Sequence, residues 1–135
     1  MMVVIDTNVL VSGLLTPDGP PGRILDGLAG DVLRLVYDDR IVLEYRALVS
    51  RPRHKFRRAD LAELLAYVIG NGERIVAPPL DVLLPDPDDL ALLEVAVAGQ
   101  VDALVTGNLK HFPPNRRRGA RVMSPADFLL LWRSA

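Results

Sequence analysis

The sequence predicts an α/β fold, a three-layer α/β/α sandwich with a mainly parallel sheet of about five strands. Short β-branched apolar runs alternate along the chain with helix-forming segments, which is typical of a parallel sheet covered on both faces. The 135 residues contain no repeat and no long linker, so we expect a single domain over residues 1–135. Half of the residues (50%) are hydrophobic, which is enough for such a domain to bury a sizeable core.

The composition excludes several classes of protein. The chain has no cysteine, which excludes a disulfide scaffold and a cysteine-based zinc site. No apolar run approaches the roughly 20 residues that span a bilayer, and the first residues lack the basic region of a signal peptide. We therefore expect a cytoplasmic protein with no membrane partner. The formal net charge of −1 excludes a general polyanion-binding protein.

The first part of the chain predicts a strand followed by two helices. Residues 2–5 form a short β-branched apolar run, which indicates a strand buried on both faces. Residues compatible with a helix follow over 9–15, and the Pro and Gly residues of 16–20 end that helix. A second helix is predicted over 21–30, because Pro suits its first turn and Gly its end.

A second strand and two more helices are predicted in the middle of the chain. Residues 32–37 form another buried apolar run. Asp38 or Asp39 is expected to cap a helix whose apolar stripe extends to Ser50. A further helix is predicted over 60–69, where the Gly-Asn-Gly that follows ends it.

The rest of the chain predicts three short strands and two helices. The predicted strands are residues 74–77, 103–106 and 121–123. A helix over 86–98 is apolar nearly all round and should therefore be buried. The last helix, over 124–133, begins with Ser-Pro, which is typical of a helix N-terminus.

Polar side chains are predicted at the carboxyl ends of strands, where open α/β sheets bind ligands. Asp6 directly follows the first strand, and Thr106 and Asn108 follow the fourth. A carboxylate in so apolar a context is costly unless it is paired or bound to a metal. The alternative interpretations are a helix cap formed by Asp6 with Asn8, and an ordinary turn residue at Asn108.

Two further segments bring carboxylates toward the same place. Glu44 lies on the flank of a predicted apolar stripe, although an ion pair with Arg40 or Arg46 is an alternative. Asp86 and Asp89 lie at a predicted helix start, where acids also complement the helix dipole. Together with the strand-end residues, these acids form an oxygen-rich cup. Their mutual repulsion favours a hard divalent cation, Mg²⁺ or Mn²⁺.

Two basic segments lie on either side of the acidic stretch of the sequence. Each is either a solvated face or a set of contacts to the phosphates of a nucleic acid. The candidates for phosphate contact are Arg51, Arg53, Lys55, Arg116 and Arg117.

Four motifs in this order resemble the PIN-domain family, and more closely its VapC-like branch, the toxin components of toxin–antitoxin pairs. They cover essentially the whole chain, and their order and spacing make the resemblance specific. The motifs are Val3-Val4-Ile5-Asp6-Thr7-Asn8-Val9-Leu10, Glu44-Tyr45, Asp86-Pro87-Asp88-Asp89 before Leu93-Glu94-Val95-Ala96, and Val105-Thr106-Gly107-Asn108.

The resemblance implies the same sandwich, a metal-dependent ribonuclease activity, and in many relatives a homodimer inhibited by a small antitoxin. It implies that Asp6, Glu44 and Asp89 are the catalytic acids of the metal site, with Asn8 and Thr106 as supporting polar groups. Hydrolysis of RNA by a Mg²⁺-activated water would leave 5′-phosphate and 3′-hydroxyl ends.

The chain departs from the family pattern at two places. In many relatives the third acid falls one residue later, where this chain has Leu90, so either Asp89 or Asp86 is the ligand. Many relatives also carry an aspartate after the fourth strand, near Asn108 or His111, and neither residue is acidic here. We interpret His111 as a surface loop residue, and we expect one firmly bound Mg²⁺ with a second recruited by the substrate.

Other functions remain open at this point. The missing fourth acid favours a catalytically degenerate PIN domain that binds RNA or a protein without cutting. A phosphoryl-transfer domain of the haloacid-dehalogenase or receiver type also has an aspartate at a strand end, but the residue two positions after Asp6 is not acidic. Trp132 belongs either to the core or to a dimer or antitoxin interface.

Overall fold

The strands of the protein form one parallel sheet, as the sequence predicts. The computed structural model describes residues 1–51 and 58–135. The strands in these residues are β1 (Met2–Ile5), β2 (Arg34–Tyr37), β3 (Glu73–Arg74), β4 (Ala103–Val105) and β5 (Val122–Met123). They lie in the order β3-β2-β1-β4-β5, and each neighbouring pair is parallel.

Helices cover this sheet and complete the predicted α/β/α sandwich. In the same described residues they are α1 (Thr7–Leu15), α2 (Pro20–Ala29), α3 (Asp39–Val49), α4 (Arg58–Gly70), α5 (Leu90–Ala98) and α6 (Pro125–Arg133). Helix α5 packs on β1, β2 and β4, whereas α6 packs on β4 and β5. None of the helices in the described part of the chain has both the length and the apolarity required to cross a membrane.

Four strands are shorter than the sequence predicts, β4 and β5 by one residue each and β2 and β3 by two. Val32 and Leu33 do not join β2, because their N–H groups bond to the carbonyl of Gly27 at the end of α2. Strand β3 ends at Arg74, although the Ile75 N–H still bonds to the Tyr37 carbonyl at 2.9 Å. Val76 beyond it is 92% exposed. The prediction of strand over 76–77 is therefore wrong.

The acidic run before α5 forms a 3₁₀ turn instead of the first turn of an α-helix. The turn spans Pro87–Asp89, and Asp86 caps it by accepting a hydrogen bond from the Asp88 N–H on Oδ1 at 3.0 Å. The cap at Asp86 was predicted, whereas the change of helix type was not. Because a 3₁₀ turn has three residues per turn, it brings Asp86 and Asp89 to the same side of the chain.

An irregular segment, residues 75–86, connects β3 to this 3₁₀ turn and is called the strap below. It is fastened to α5 by Glu94, whose Oε2 accepts a hydrogen bond from the Leu80 N–H at 2.6 Å. The other oxygen of Glu94 accepts a hydrogen bond from Arg40 Nη1 at 2.7 Å. The apolar pattern of the helix predicts that Glu94 lies toward its less apolar side. That prediction is wrong, because Glu94 is only 3% exposed and serves as a paired, buried anchor.

Trp132, which lies on α6, packs against α2. Its ring stacks on Phe128 with the ring centroids 6.3 Å apart. A Cβ atom on Gly27 would lie only 2.6 Å from Cη2 of Trp132. Of the two interpretations of Trp132, core and interface, these contacts favour the core.

The strand order creates a crevice beside β1 and β4. The chain proceeds from β1 toward one edge of the sheet and from β4 toward the other, so the order reverses between these two neighbours. Such a reversal opens a cleft at the carboxyl ends of the strands. Because Ile5 pairs with Val105, Asp6 and Thr106 emerge side by side into this cleft.

Tyr45 fixes α3 against the end of β1. Its side chain is fully buried, and its hydroxyl donates a hydrogen bond to the backbone carbonyl of Ile5. The Tyr45→Phe variant leaves that carbonyl buried without its partner. We expect the free energy of unfolding to fall by about 1–3 kcal/mol in urea denaturation.

Tyr67→Phe is the matched control. The Tyr67 hydroxyl donates to Asp31 Oδ2 at 2.7 Å, but this pair is exposed. Its loss should change the free energy of unfolding by less than about 0.5 kcal/mol. Equal losses in the two variants would contradict the anchoring role of Tyr45.

Candidate metal centre

Asp6 is a buried carboxylate at the centre of the cleft. It is 6% exposed, and its Oδ2 accepts hydrogen bonds from Thr106 Oγ1 at 2.7 Å and from Asn8 Nδ2 at 3.4 Å. Burial raises the pKa of Asp6, although the Thr106 hydrogen bond opposes the rise. No arginine or lysine within residues 1–51 and 58–135 forms an ion pair with Asp6. Its charge is therefore not neutralised by these residues.

The predicted supporting residues tie the end of β1 to the end of β4. Besides donating to Asp6, the Thr106 hydroxyl accepts a hydrogen bond from the Asn108 N–H at 3.0 Å. The side-chain oxygen of Asn8 accepts one from the Gly107 N–H at 3.2 Å. Asn8 and Thr106 thus hold Asp6 in place through their side chains, whereas Asn108 contributes its backbone.

Asp86, Asp89 and His111 form a second group of candidate ligands next to Asp6. One ligand atom from each of the three lies within 4.8 Å of the others. Burial raises the pKa of Asp89 to about 6, and the nearby Asp6 carboxylate contributes to the rise. The sequence left open whether Asp86 or Asp89 is the third acid, and the structure brings both to the same place.

His111 was missed by the sequence analysis as a member of this group. Its Nδ1 lies 2.8 Å from Asp89 Oδ2. A 3₁₀ turn over Leu109–His111, closed by the bond from the His111 N–H to the Asn108 carbonyl at 3.0 Å, directs the chain back toward the acids. The available signal was its position, since His111 lies in the segment after the fourth strand, near which the resemblance leads us to expect an aspartate.

Glu44 completes the cup from α3. Partial burial raises its pKa, and the carboxylates of Asp6 and Asp88 are near enough to raise it further. The predicted alternative was an ion pair of Glu44 with Arg40 or Arg46, and neither pair is among the ion pairs of the described residues. Arg40 instead forms ion pairs with Asp38 and with Glu94, each at 2.7 Å.

The donor set of this site fits a divalent cation. Carboxylate oxygens and an imidazole nitrogen converge with little neutralising charge from the described residues, and such donors hold metal ions in proteins. The Thr7 hydroxyl is buried and lies beside the Glu44 carboxylate, whose pKa it lowers, so Thr7 adds a polar group to the same cup.

Among the predicted phosphate contacts of the first basic segment, Arg51 lies within the described residues. It is exposed at the end of α3, and its positive charge acts on the Glu44 carboxylate by lowering its pKa. Its guanidinium group is therefore close to the acidic site. Arg53 and Lys55, the other predicted phosphate contacts of this segment, lie outside the described residues.

The second basic segment braces the backbone. Arg116 donates a hydrogen bond to the Leu83 carbonyl in the strap. Arg117 donates through Nε to the Phe112 carbonyl at 2.8 Å. Both arginines thus have structural partners, which makes them weaker candidates for phosphate contact than Arg51.

The raised pKa of Asp89 makes stability depend on pH. Between its ordinary pKa of 3.8 and the folded value of about 6, the unfolded chain releases a proton that the folded chain retains. The free energy of unfolding should therefore fall as the pH rises through this window and stay lower above it. Asp89→Asn carries no charge, so in EDTA it should be more stable than the wild type at about pH 7.5 and less pH-dependent.

Urea denaturation at about pH 5 and about pH 7.5 checks this prediction. Asp18→Asn removes an exposed acid from the loop before α2 and should keep the pH dependence of the wild type. An Asp89→Asn protein that is as pH-dependent as the wild type would show that Asp89 is not the destabilising group.

Comparisons with known proteins bear on the family and the fold of the chain. A family model described as "PIN domain" matches residues 2–110. A chain in the crystal structure of VapBC2 from Rickettsia felis, bound to a DNA fragment from their promoter, has the same fold with a TM-score of 0.62. The two chains are 19% identical, and the match covers 92% of this chain and 98% of that one. No curated protein matches the sequence significantly. The chain belongs to the PIN domain family.

Proposed function

We propose that this chain, as one domain over residues 1–135, is a metal-dependent endoribonuclease and the toxin of a toxin–antitoxin pair. PIN domains are generally nucleases. The observation that supports the proposal is that Asp6, at the carboxyl end of β1 beside Thr106, is near enough to Glu44 on α3 and to Asp89 before α5 to raise the pKa values of both. The preference for RNA is supported by the resemblance of the four sequence motifs to VapC-like ribonucleases.

The acids have distinct roles in this proposal. Asp6 and Asp89 hold Mg²⁺ or Mn²⁺, with Asp86 in support, while Thr106 and Asn8 keep the Asp6 carboxylate oriented through Oδ2. When bound, the cation supplies a lowered water pKa and neutralises charge on the phosphoryl oxygens. Glu44 lies at the exposed rim with a raised pKa, so its carboxylate suits accepting a proton from the attacking water.

The proposed partners follow from the resemblance and from the structural neighbour. VapBC2 from Rickettsia felis is bound to a DNA fragment from their promoter. By analogy, we propose that this protein is cytoplasmic, forms a homodimer and is inhibited by a cognate antitoxin. The oligomeric state can be measured by light scattering on the purified chain.

Cleavage of a mixed-sequence RNA tests the activity. We expect cleavage with Mg²⁺ or Mn²⁺ but not with EDTA, and products with 5′-phosphate ends. Asp6→Asn should slow cleavage on the order of 100-fold or more, because it weakens the charged ligand at the centre of the site. Asp18→Asn, an exposed acid away from the cleft, should cleave like the wild type.

Other outcomes of this experiment would argue against the proposed activity. Cleavage that survives both EDTA and Asp6→Asn indicates a contaminating nuclease. An RNA that binds but is not cut favours the degenerate binding module. Products with 2′,3′-cyclic phosphate ends would contradict attack by water.

RNA binding tests the role of Arg51. In the Asp6→Asn background, which permits binding without cleavage, Arg51→Ala should weaken binding and reduce the salt slope of the affinity by about one. Arg34→Ala is the matched control, because Arg34 is exposed at the amino end of β2, away from the acidic site. If the two variants weakened RNA binding equally, Arg51 would not be a specific contact to the RNA phosphates.

A further inference from the structure

His111, in the 3₁₀ turn after β4, lies against the acidic residues of the site. Its Nδ1 lies 2.8 Å from Asp89 Oδ2, and a carboxylate oxygen of Asp86 belongs to the same group of atoms within 4.8 Å. The imidazole is therefore part of the cup and not a free surface group.

The loop after β4 holds His111 in this position from both sides. On the amino side, the 3₁₀ turn starts at Asn108, whose N–H is bonded to the Thr106 hydroxyl at 3.0 Å. On the carboxyl side, Phe112 is fully buried, and its carbonyl accepts a hydrogen bond from Arg117 Nε at 2.8 Å. These anchors keep the imidazole directed at the acids.

Two roles are compatible with the contact between His111 and Asp89. The imidazole either orients Asp89 through a hydrogen bond or binds the same cation. Neighbouring ligands in an octahedral shell with bonds of about 2.1 Å lie about 3 Å apart. The observed separation of 2.8 Å is close to this value and is also that of an ordinary hydrogen bond. The 3₁₀ turn places Asp86 beside the pair, with one of its carboxylate oxygens within 4.8 Å of the other two ligand atoms, so three ligand atoms are available to one cation.

We propose that His111 is a metal ligand, together with Asp86 and Asp89, and that it shifts the preference of the site from Mg²⁺ toward transition-metal dications. The inference rests on the acidic site of the proposed function and adds a ligand and an ion preference to it. Mg²⁺ prefers oxygen donors, whereas imidazole nitrogen binds first-row transition metals well. A histidine ligand also brings no negative charge that would attract Mg²⁺.

Mn²⁺ alone is the probe, measured without RNA. Protein purified without a histidine tag is loaded with Mn²⁺ and examined by pulsed EPR, which detects ¹⁴N coupled to the bound ion. We expect this coupling in the wild type and its loss in His111→Asp. That variant should still bind Mn²⁺, and the affinity for Mg²⁺ relative to Mn²⁺ should rise on the order of tenfold in competition.

His54→Ala is the matched control, because His54 is the other of the two histidines in the chain. It lies outside the described residues, and its loss should leave the ¹⁴N coupling unchanged. Circular dichroism checks that each variant is folded. The EPR spectrum of Mn²⁺ bound to the wild type can be interpreted without any variant.

The outcomes separate this inference from the nuclease proposal. Bound Mn²⁺ without ¹⁴N coupling, or coupling that disappears in His54→Ala, would overturn the role of His111 even if RNA is cleaved. Absence of Mn²⁺ binding would overturn it as well. Coupling that depends on His111 supports the inference even if no RNA is cleaved, in which case only the nuclease proposal fails.

Discussion

The parallel pairing of β1 with β4 is the constraint on which the site depends. It joins residues about 100 positions apart, because Val3, Val4 and Ile5 pair with Ala103, Leu104 and Val105. The Asp6 N–H extends this pairing to the Val105 carbonyl at 2.9 Å. From this fixed point the Thr106 hydroxyl reaches the Asp6 carboxylate, and the loop after β4 is placed against the start of α5. A shift of one residue in register would bury Asp6 in the core or move it away from Thr106.

The buried carboxylates of the chain fall into two groups that differ in their partners. Glu94 and Asp38 are both neutralised by Arg40, so their burial holds the strap and α3 together. Asp6 is buried to a similar degree, yet its hydrogen-bond partners in the described residues are a hydroxyl, an amide and the backbone N–H groups of Thr7 and Asn8, none of them cationic. An uncompensated buried charge is unfavourable, and the fold tolerates it where a cation can provide the compensation. The contrast distinguishes the structural acids from those of the candidate centre.

Local patterns predict most of the fold but only part of the site. Apolar runs and turn residues located the five strands and the helices, and the rule for strand ends placed Asp6 beside Thr106. The burial of Glu94 could not be predicted, because its partners Arg40 and Leu80 come from distant segments. His111 was missed for a related reason. Its contact with Asp89 depends on a 3₁₀ turn and on the placement of two loops, which hydrophobic periodicity does not encode.

The strap links the stabilities of the two walls of the candidate metal centre. It is held by Glu94 on α5, by Arg116, and by Arg118, whose Nη2 donates to the Asp81 carbonyl at 2.5 Å. These arginines follow the loop that carries His111, and the strap itself continues into the acidic turn. Detachment of the strap would therefore leave Glu94 without one of its partners and loosen both walls of the cleft together. We therefore expect the amide protons of the strap and of the acidic turn to exchange with solvent through a shared opening.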